Sequence, residues 1–340
     1  MAKRALLTGI TGQDGAYLSQ FLLSRGYEVF GVIRRSSHRG VEDHRLRWLG
    51  VADKVTLLDG DMGDLSSLVR IVKETAPHEI YNLAAQSFVA SSWRQPIHTA
   101  HITATGVTNM LEAMRAEAPE ARFYQASSSE LFGAARERPQ RETTPFHPRS
   151  PYAVAKAYAY WATVNFREAY GMFAVNGVLF NHESPRRGEN FVTRKITMAV
   201  AEIAAGRRSH VSLGNLDSYR DWGFAGDYVE AMWVMLAADE PDDFVIGTGE
   251  THTVREFATL AFAEVGVTIA WEGSGEAEVG RDAKSGVVRV KVDPAYVRPA
   301  EVDYLLADPT KAREKLGWSP KVGFRELVTM MVKADVDALR

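Results

Sequence analysis

The sequence predicts an α/β fold: a doubly wound, mostly parallel sheet with a smaller C-terminal lobe whose segments interleave with it. Three observations carry this reading. Short apolar runs alternate with helix-length amphipathic segments through the first half of the chain, the rhythm of successive βαβ units. Gly9, Gly12 and Gly15 recur at three-residue spacing directly after the first apolar run and open a helical stretch, as a tight βα turn requires. Beyond about residue 180 the rhythm loosens, and Arg, Glu, Asp, Gly and Pro become frequent.

Taken in order, residues 5–7 read as the first strand and 16–25 as a helix ended by Gly26, with 28–33 the second strand. Residues 55–58 form the third strand, 65–76 a helix stopped by Pro77, and 80–84 a buried fourth strand, since a residue before proline is driven out of the helical region. Residues 97–118 read as one long helix closed near Pro119, then 122–126 as a strand, 152–170 as a helix and 173–179 as a strand. In the second half 228–238 and 255–265 look helical, and 273–286 is the most loop-like stretch. Two domains are expected: a Rossmann-type domain over 1–180 and a substrate lobe over 181–340, with about 225–265 returning to the sheet.

The 340 residues, 46% hydrophobic and 24% charged, have the composition of a soluble globular enzyme. A formal net charge of −3 gives no support for binding nucleic acid or a membrane surface. There are no cysteines, which excludes disulfides, thiolate metal ligands and cysteine nucleophiles and suits a reducing compartment. The apolar run after Met1-Ala2-Lys3-Arg4 is only Ala5-Leu6-Leu7, too short for a signal-peptide core, and no stretch approaches the roughly 18 apolar residues of a membrane span. The expectation is a cytoplasmic protein without a metal site.

The glycine turn lets a pyrophosphate approach the backbone while the first N–H groups of the helix receive its charge. Thr11, Gln13 and Asp14 sit within the same turn and join the glycines as candidate cofactor contacts. A carboxylate at the end of the second strand would bind a ribose 2′-OH and favour NAD. This chain has Arg34-Arg35-Ser36-Ser37 there, so guanidinium and hydroxyl donors, Arg34 and Ser36 foremost, favour the 2′-phosphate of NADP. Asp61 and Met62 follow the third strand, where the adenine would lie, and Leu83, Ala85 and Ser87 follow the fourth, beside the ribose and nicotinamide.

Tyr152 and Lys156 stand at i,i+4, on one helix face, so both can reach one ligand. A free phenol, with a pKa near 10, is a poor base at neutral pH; a nearby ammonium and an oxidised nicotinamide would lower that value. Tyr152 then takes a hydroxyl proton, Ser128 holds the same oxygen, and Lys156 also reaches the nicotinamide ribose. Glu130, two residues from Ser128, offers a second acid/base able to remove a carbon-bound proton and protonate a leaving hydroxyl.

The motifs Thr8 to Gly15, Arg34-Arg35-Ser36-Ser37, Ser127-Ser128-Ser129-Glu130, Pro148-Arg149-Ser150-Pro151-Tyr152, Asn181-His182-Glu183-Ser184-Pro185, Leu213-Gly214-Asn215, Arg220-Asp221-Trp222-Gly223 and Arg298-Pro299-Ala300-Glu301 run through nearly the whole chain. In these it resembles the GDP-mannose 4,6-dehydratases, a family of extended short-chain dehydrogenases/reductases. The resemblance implies a tightly held NADP and three steps: oxidation at carbon 4, loss of water across carbons 5 and 6, and hydride return to carbon 6. It also implies that His182 and Arg187 touch the cofactor, and that Asn181, Lys195, Arg220, Arg298 and Glu301 hold the nucleotide-sugar, with Ser87, Leu213 and Asn215 beside them. The family usually has Thr where this chain has Ser128, so a related sugar such as a GDP-linked manno-heptose stays open. So do an NADP-dependent epimerase or reductase of a nucleotide-sugar and a non-catalytic NADP-sensing module. On residues alone, His182 and Trp222 also read as packed core, and Arg220 as a surface charge. The helices over 97–118 and 152–170 carry more apolar surface than one sheet face needs, and the resemblance implies a four-helix bundle with a partner in a homodimer or homotetramer.

Overall fold

A computed structural model describes residues 2–35, 42–296, 300 and 302–340. Among them, seven parallel strands form the central sheet: β1 (Arg4–Thr8), β2 (Glu28–Ile33), β3 (Thr56–Asp59), β4 (Glu79–Asn82), β5 (Arg122–Ser128), β6 (Ala174–Leu179) and β7 (Asp243–Ile246). Their spatial order is β7-β6-β5-β4-β1-β2-β3. The chain winds outward from β1 through β2 and β3, then returns to place β4 on the other side of β1. The order therefore reverses between β1 and β4, and a crevice opens there at the carboxyl ends of the strands.

Alternation along the strands buries both faces. Ala5, Leu7, Tyr81, Tyr124 and Val175 pack with the helices Gln13–Ser24 and Ala225–Ala237. Leu6, Ile80, Phe123 and Ala174 face the helices Leu65–Thr75, Gly106–Glu117 and Pro151–Tyr170. Successive strand side chains point to opposite faces, so a parallel sheet covered by helices on both sides needs nearly continuous apolar strands.

Four boundaries differ from the sequence reading, each for a local reason. The first helix starts at Gln13 instead of 16, because Gly12 already accepts from Ala16 N at 3.1 Å. β4 stops at Asn82, since Leu83 N and Ala84 N donate to the Thr8 hydroxyl, both at 3.0 Å, instead of to a ladder. The long helix over 97–118 is interrupted: Pro96–Ala100 and Gly106–Glu117 are joined by a π-helical turn, His101–Thr105. That bulge sets Gly106 against Met62 and Thr103 under Gln86 N at 3.1 Å. Finally, 273–286 is not simply a loop. Val279–Asp282 is a strand between Ile269–Glu272 and Val288–Val292, held by backbone pairing in a charged segment that shows no apolar alternation.

β7 was not among the elements read from the sequence; its four residues pair with β6 and extend the sheet. The helix Ala225–Ala237 before it packs on the sheet, whereas Val254–Ala263 after it packs in the second lobe with Val192–Ala204 and Phe324–Ala338. Trp222 lies in that second core, stacked on Phe324 (6.0 Å, 9°) and edge-on to Phe257 (5.5 Å), so it is a packing residue. No helix among the described residues is long and apolar enough to cross a membrane.

Candidate active site

The crevice holds a cavity of about 350 Å³ between the glycine turn, the loop after β4, the end of β5 and the segment after β6. Gly9 has φ +66°, and a Cβ there would stand 2.9 Å from Ala84 N, so only glycine permits this approach of two backbones. A Cβ on Gly15 would meet Gly9 O at 2.4 Å, fixing the helix against the turn. Gly12 has only Gly9 O within reach of a Cβ and no side-chain cap. Bare backbone and uncapped N–H groups thus face the cavity, which fits a dinucleotide pyrophosphate. Leu83, Ala85 and Ser87 line the cavity from the loop after β4.

The side chains of Gln13 and Asp14 are engaged within the protein. Gln13 donates to His182 O at 3.1 Å and accepts from the Ser184 hydroxyl at 2.7 Å. Asp14 accepts from Gln13 at 2.9 Å and meets His182 Nε2 at 2.8 Å. His182 Nδ1 lies 2.8 Å from Phe180 O, which can only accept, so both ring nitrogens face acceptors, an arrangement that favours the protonated ring. Burial opposes that charge, but the Asp14 carboxylate outweighs it and raises the His182 pKa above 6.5. Burial likewise opposes the Asp14 charge, yet His182 brings its pKa down to about 2. Arg187, beside them in the cavity wall, is held by Glu183 at 3.1 Å.

The reaction centre forms at the end of β5. Ser128 caps the 3₁₀ turn Ser129–Leu131, its hydroxyl accepting from Glu130 N at 3.2 Å. Opposite, Ser150 caps the helix Pro151–Tyr170 by accepting from Ala153 N at 3.1 Å, with Pro151 at the first helical position, two strong start signals. This fixes Tyr152 in the cavity wall, and Lys156 follows one turn later. Lys156 Nζ donates to Ala126 O at 2.6 Å and stands 5.9 Å from the Tyr152 ring. The sequence reading has Lys156 lowering the phenol; here burial instead pushes Tyr152 up to about 12, while a hydrogen bond from Ser128 pulls against it and Glu130 adds to the rise. Burial also brings Lys156 down to about 8, with Asp14 acting in the other direction.

The substrate candidates are spread more widely. Asn181 lines the cavity, and its buried Oδ1 has no hydrogen-bond partner, an acceptor awaiting a donor. Lys195 lies outside the cavity with Nζ 3.0 Å from the centre of the Tyr296 ring, and burial brings it down to about 8. Gly214 also abuts Tyr296, with a notional Cβ 2.6 Å from its carbonyl oxygen, which brings Lys195 near the Leu213 to Asn215 turn. There the Leu213 carbonyl accepts from Asp293 N at 2.8 Å and Asn215 accepts from Asp217 N at 2.9 Å. Arg220 is only 7% exposed and donates to Tyr219 O at 2.8 Å, so it is not a surface charge. On the cofactor side, Arg34 is exposed just after β2. The Asp61 carboxylate accepts from Gly63 N at 2.8 Å, and the Met62 side chain is buried in the sheet core. Ser36, Arg298 and Glu301 lie outside the described residues.

A family model described as GDP-mannose 4,6 dehydratase matches residues 6–331. The chain belongs to the GDP-mannose 4,6-dehydratase family. It is similar to GDP-mannose 4,6 dehydratase of Homo sapiens, 55% identical over 342 residues, covering 99% of this chain and 92% of that protein. It is also 54% identical to GDP-mannose 4,6-dehydratase of Sinorhizobium fredii (strain HH103), covering 99% and 98%. Among solved structures, UDP-glucose 4-epimerase of Thermotoga maritima superposes with a TM-score of 0.81 at 26% identity, covering 99% and 100% of the two chains. The UDP-glucose 4-epimerase of Thermus thermophilus, in complex with NAD, gives 0.80 at 27% identity, covering 98% of each.

Within this family member, Phe191 and Arg45 are among the cavity residues that the sequence did not mark as cofactor or substrate contacts. Phe191 lines the cavity and carries the Arg187 guanidinium 3.7 Å from its ring centre. Arg45 lines it as well, from the short helix His44–Trp48. Neither sits in a motif that ties it to the glycine turn; only the folded chain brings 45 beside 11 and 186. Thr11 meets the site through its carbonyl, which accepts from Arg45 at 3.2 Å.

Proposed function

We propose that this chain is a nucleotide-sugar 4,6-dehydratase that converts GDP-mannose to GDP-4-keto-6-deoxymannose and water, holding an NADP that is regenerated in each turnover. The observation that carries the reading is the convergence of Ser128, Glu130 and Tyr152 on one cavity with the glycine turn, in a chain of this family. Tyr152 accepts the proton of the carbon 4 hydroxyl, and Ser128 donates a hydrogen bond to the same oxygen. The resulting ketone acidifies carbon 5, where Glu130 removes a proton and then delivers one to the departing carbon 6 hydroxyl. When bound, a nicotinamide would store the carbon 4 hydride until its return to carbon 6, and its positive charge would lower the Tyr152 pKa that burial raises. Glu130 relays a solvent proton to carbon 5 as that hydride returns, and Tyr152 releases its proton to solvent. Asn181 Oδ1, with its open acceptor, suits a donor on the nucleotide-sugar.

A nicotinamide dinucleotide suits the bare glycine turn, and the Thermus thermophilus relative is in complex with NAD. NADP is favoured for this chain by Arg34 and by the absence of a carboxylate directly after β2. A homodimer or homotetramer is favoured by the exposed apolar side chains Ile97 (82%), Val154 (56%) and Trp161 (59%), which one chain has no reason to leave in water. The cysteine-free sequence suits the cytoplasm.

The decisive experiment incubates the purified protein with a panel of nucleotide-sugars and weighs the products. GDP-mannose should lose one water with no net consumption of reduced nicotinamide. An isomeric product of unchanged mass, or stoichiometric NADPH consumption, would replace the dehydratase reading with an epimerase or a reductase.

A further inference from the structure

We infer that Arg45 is a pyrophosphate-binding residue that clamps a dinucleotide between the glycine turn and the segment carrying His182 and Arg187. The inference rests on the dinucleotide reading above and adds a residue that the glycine motif does not contain. Arg45 Nη1 donates to Thr11 O at 3.2 Å, inside the turn, and Nε donates to Arg186 O at 2.9 Å, across the crevice. A guanidinium carries five N–H donors in a planar fork, so these two bonds aim the group while leaving donors for an anion. The Thr11 carbonyl belongs to the peptide that leads into Gly12, the uncapped start of the helix, so the guanidinium stands at the seat of the pyrophosphate.

The surrounding charge supports the same assignment. Arg186 and Arg194 lie close enough for their charges to matter to each other. Arg45 feels both Arg194 and Arg187, with Glu42 and Glu189 acting in the other direction. Burial and the neighbouring guanidinium groups bring Arg186 down to about 10. Arg187 is paired with Glu183 and Arg194 with Asp335, whereas the Arg45 bonds to Thr11 and Arg186 go to carbonyl oxygens. Arg45 and Arg187 both line the cavity, and like charges so placed repel one another, a repulsion that a bound dianion relieves. Arg34 lies at the other end of the cofactor path, beyond β2, so Arg45 is assigned to the phosphates that NAD and NADP share.

Titration calorimetry of NADP, NAD and ADP-ribose with wild type, Arg45→Gln and Arg45→Lys tests this. The expected result is a loss of roughly 10- to 100-fold for Arg45→Gln, equal for all three ligands, because each contains the pyrophosphate. Arg45→Lys keeps the charge but loses the fork, so its loss should be clearly smaller than that of Arg45→Gln, while thermal unfolding of both variants stays near wild type. Equal weakening by Gln and Lys would make Arg45 a structural strap, and loss confined to NADP would move it to the 2′-phosphate; either overturns the proposal. Wild type binding none of the three would overturn the dinucleotide reading itself, and this inference with it.

Discussion

Nε2 of His182 stands 2.8 Å from Oδ2 of Asp14, joining the strand Asn181–Glu183 to the first turn of the helix that opens the dinucleotide site. His182 also stacks on Tyr228 at 4.7 Å, so one ring ties three elements together. The sign of its pH dependence follows from the shifts. His182 is raised above 6.5, so its contribution is full below 6.5 and fades as pH rises through the folded value. Asp14 is lowered from 3.8 to about 2, so its contribution is present above 3.8 and lost as pH falls toward 2. Asp14→Asn should therefore cost about 3 kcal/mol near pH 6, the scale for breaking a buried pair, and less at alkaline pH. Denaturant unfolding across that range measures it, and a pH-independent cost would mean a neutral ring.

Tyr152→Phe removes the group that takes the carbon 4 hydroxyl proton while leaving the helix start, set by Ser150 and Pro151, intact. A single turnover with GDP-mannose should show neither reduced nicotinamide nor dehydrated product, a loss of at least about 10²-fold in rate. Substantial reduction of the cofactor by the variant would remove Tyr152 from the role of base.

Glu130→Gln keeps shape and leaves the first hydride transfer in place but removes the carboxylate needed for elimination. Bound reduced nicotinamide should accumulate, with dehydration slowed about 10²- to 10⁴-fold and solvent deuterium no longer entering at carbon 5. Dehydration within a few-fold of wild type would show that another group removes that proton.

Arg34→Ala should weaken NADP more than NAD, because only NADP carries the 2′-phosphate that a guanidinium beyond β2 would meet. Parallel titrations of both cofactors decide it, and equal losses would leave cofactor choice to other residues.

Ile97, Val154, Tyr158 and Trp161 expose apolar surface on the helical face around the helix Pro151–Tyr170. Light scattering at micromolar concentration should show at least a dimer, and Trp161→Glu with Val154→Glu should shift it toward monomer. A wild-type particle of 37.7 kDa would refute assembly through this face.

The sequence by itself determined the central sheet through β6, because apolar runs of strand length and glycine or proline stops report backbone and burial locally. It also determined the cofactor turn and the Ser128, Glu130, Tyr152 and Lys156 set as candidates, since each lies in a short motif whose spacing fixes a shared face or loop. Tertiary structure alone decided three things. It inserted the π turn at His101–Thr105 and the strand β7, whose stability comes from neighbours distant in the chain. It directed Lys156 Nζ at Ala126 O and enclosed Tyr152, so that burial raises the phenol. And it placed Arg45 between Thr11 and Arg186, a contact across more than one hundred residues that no local spacing encodes.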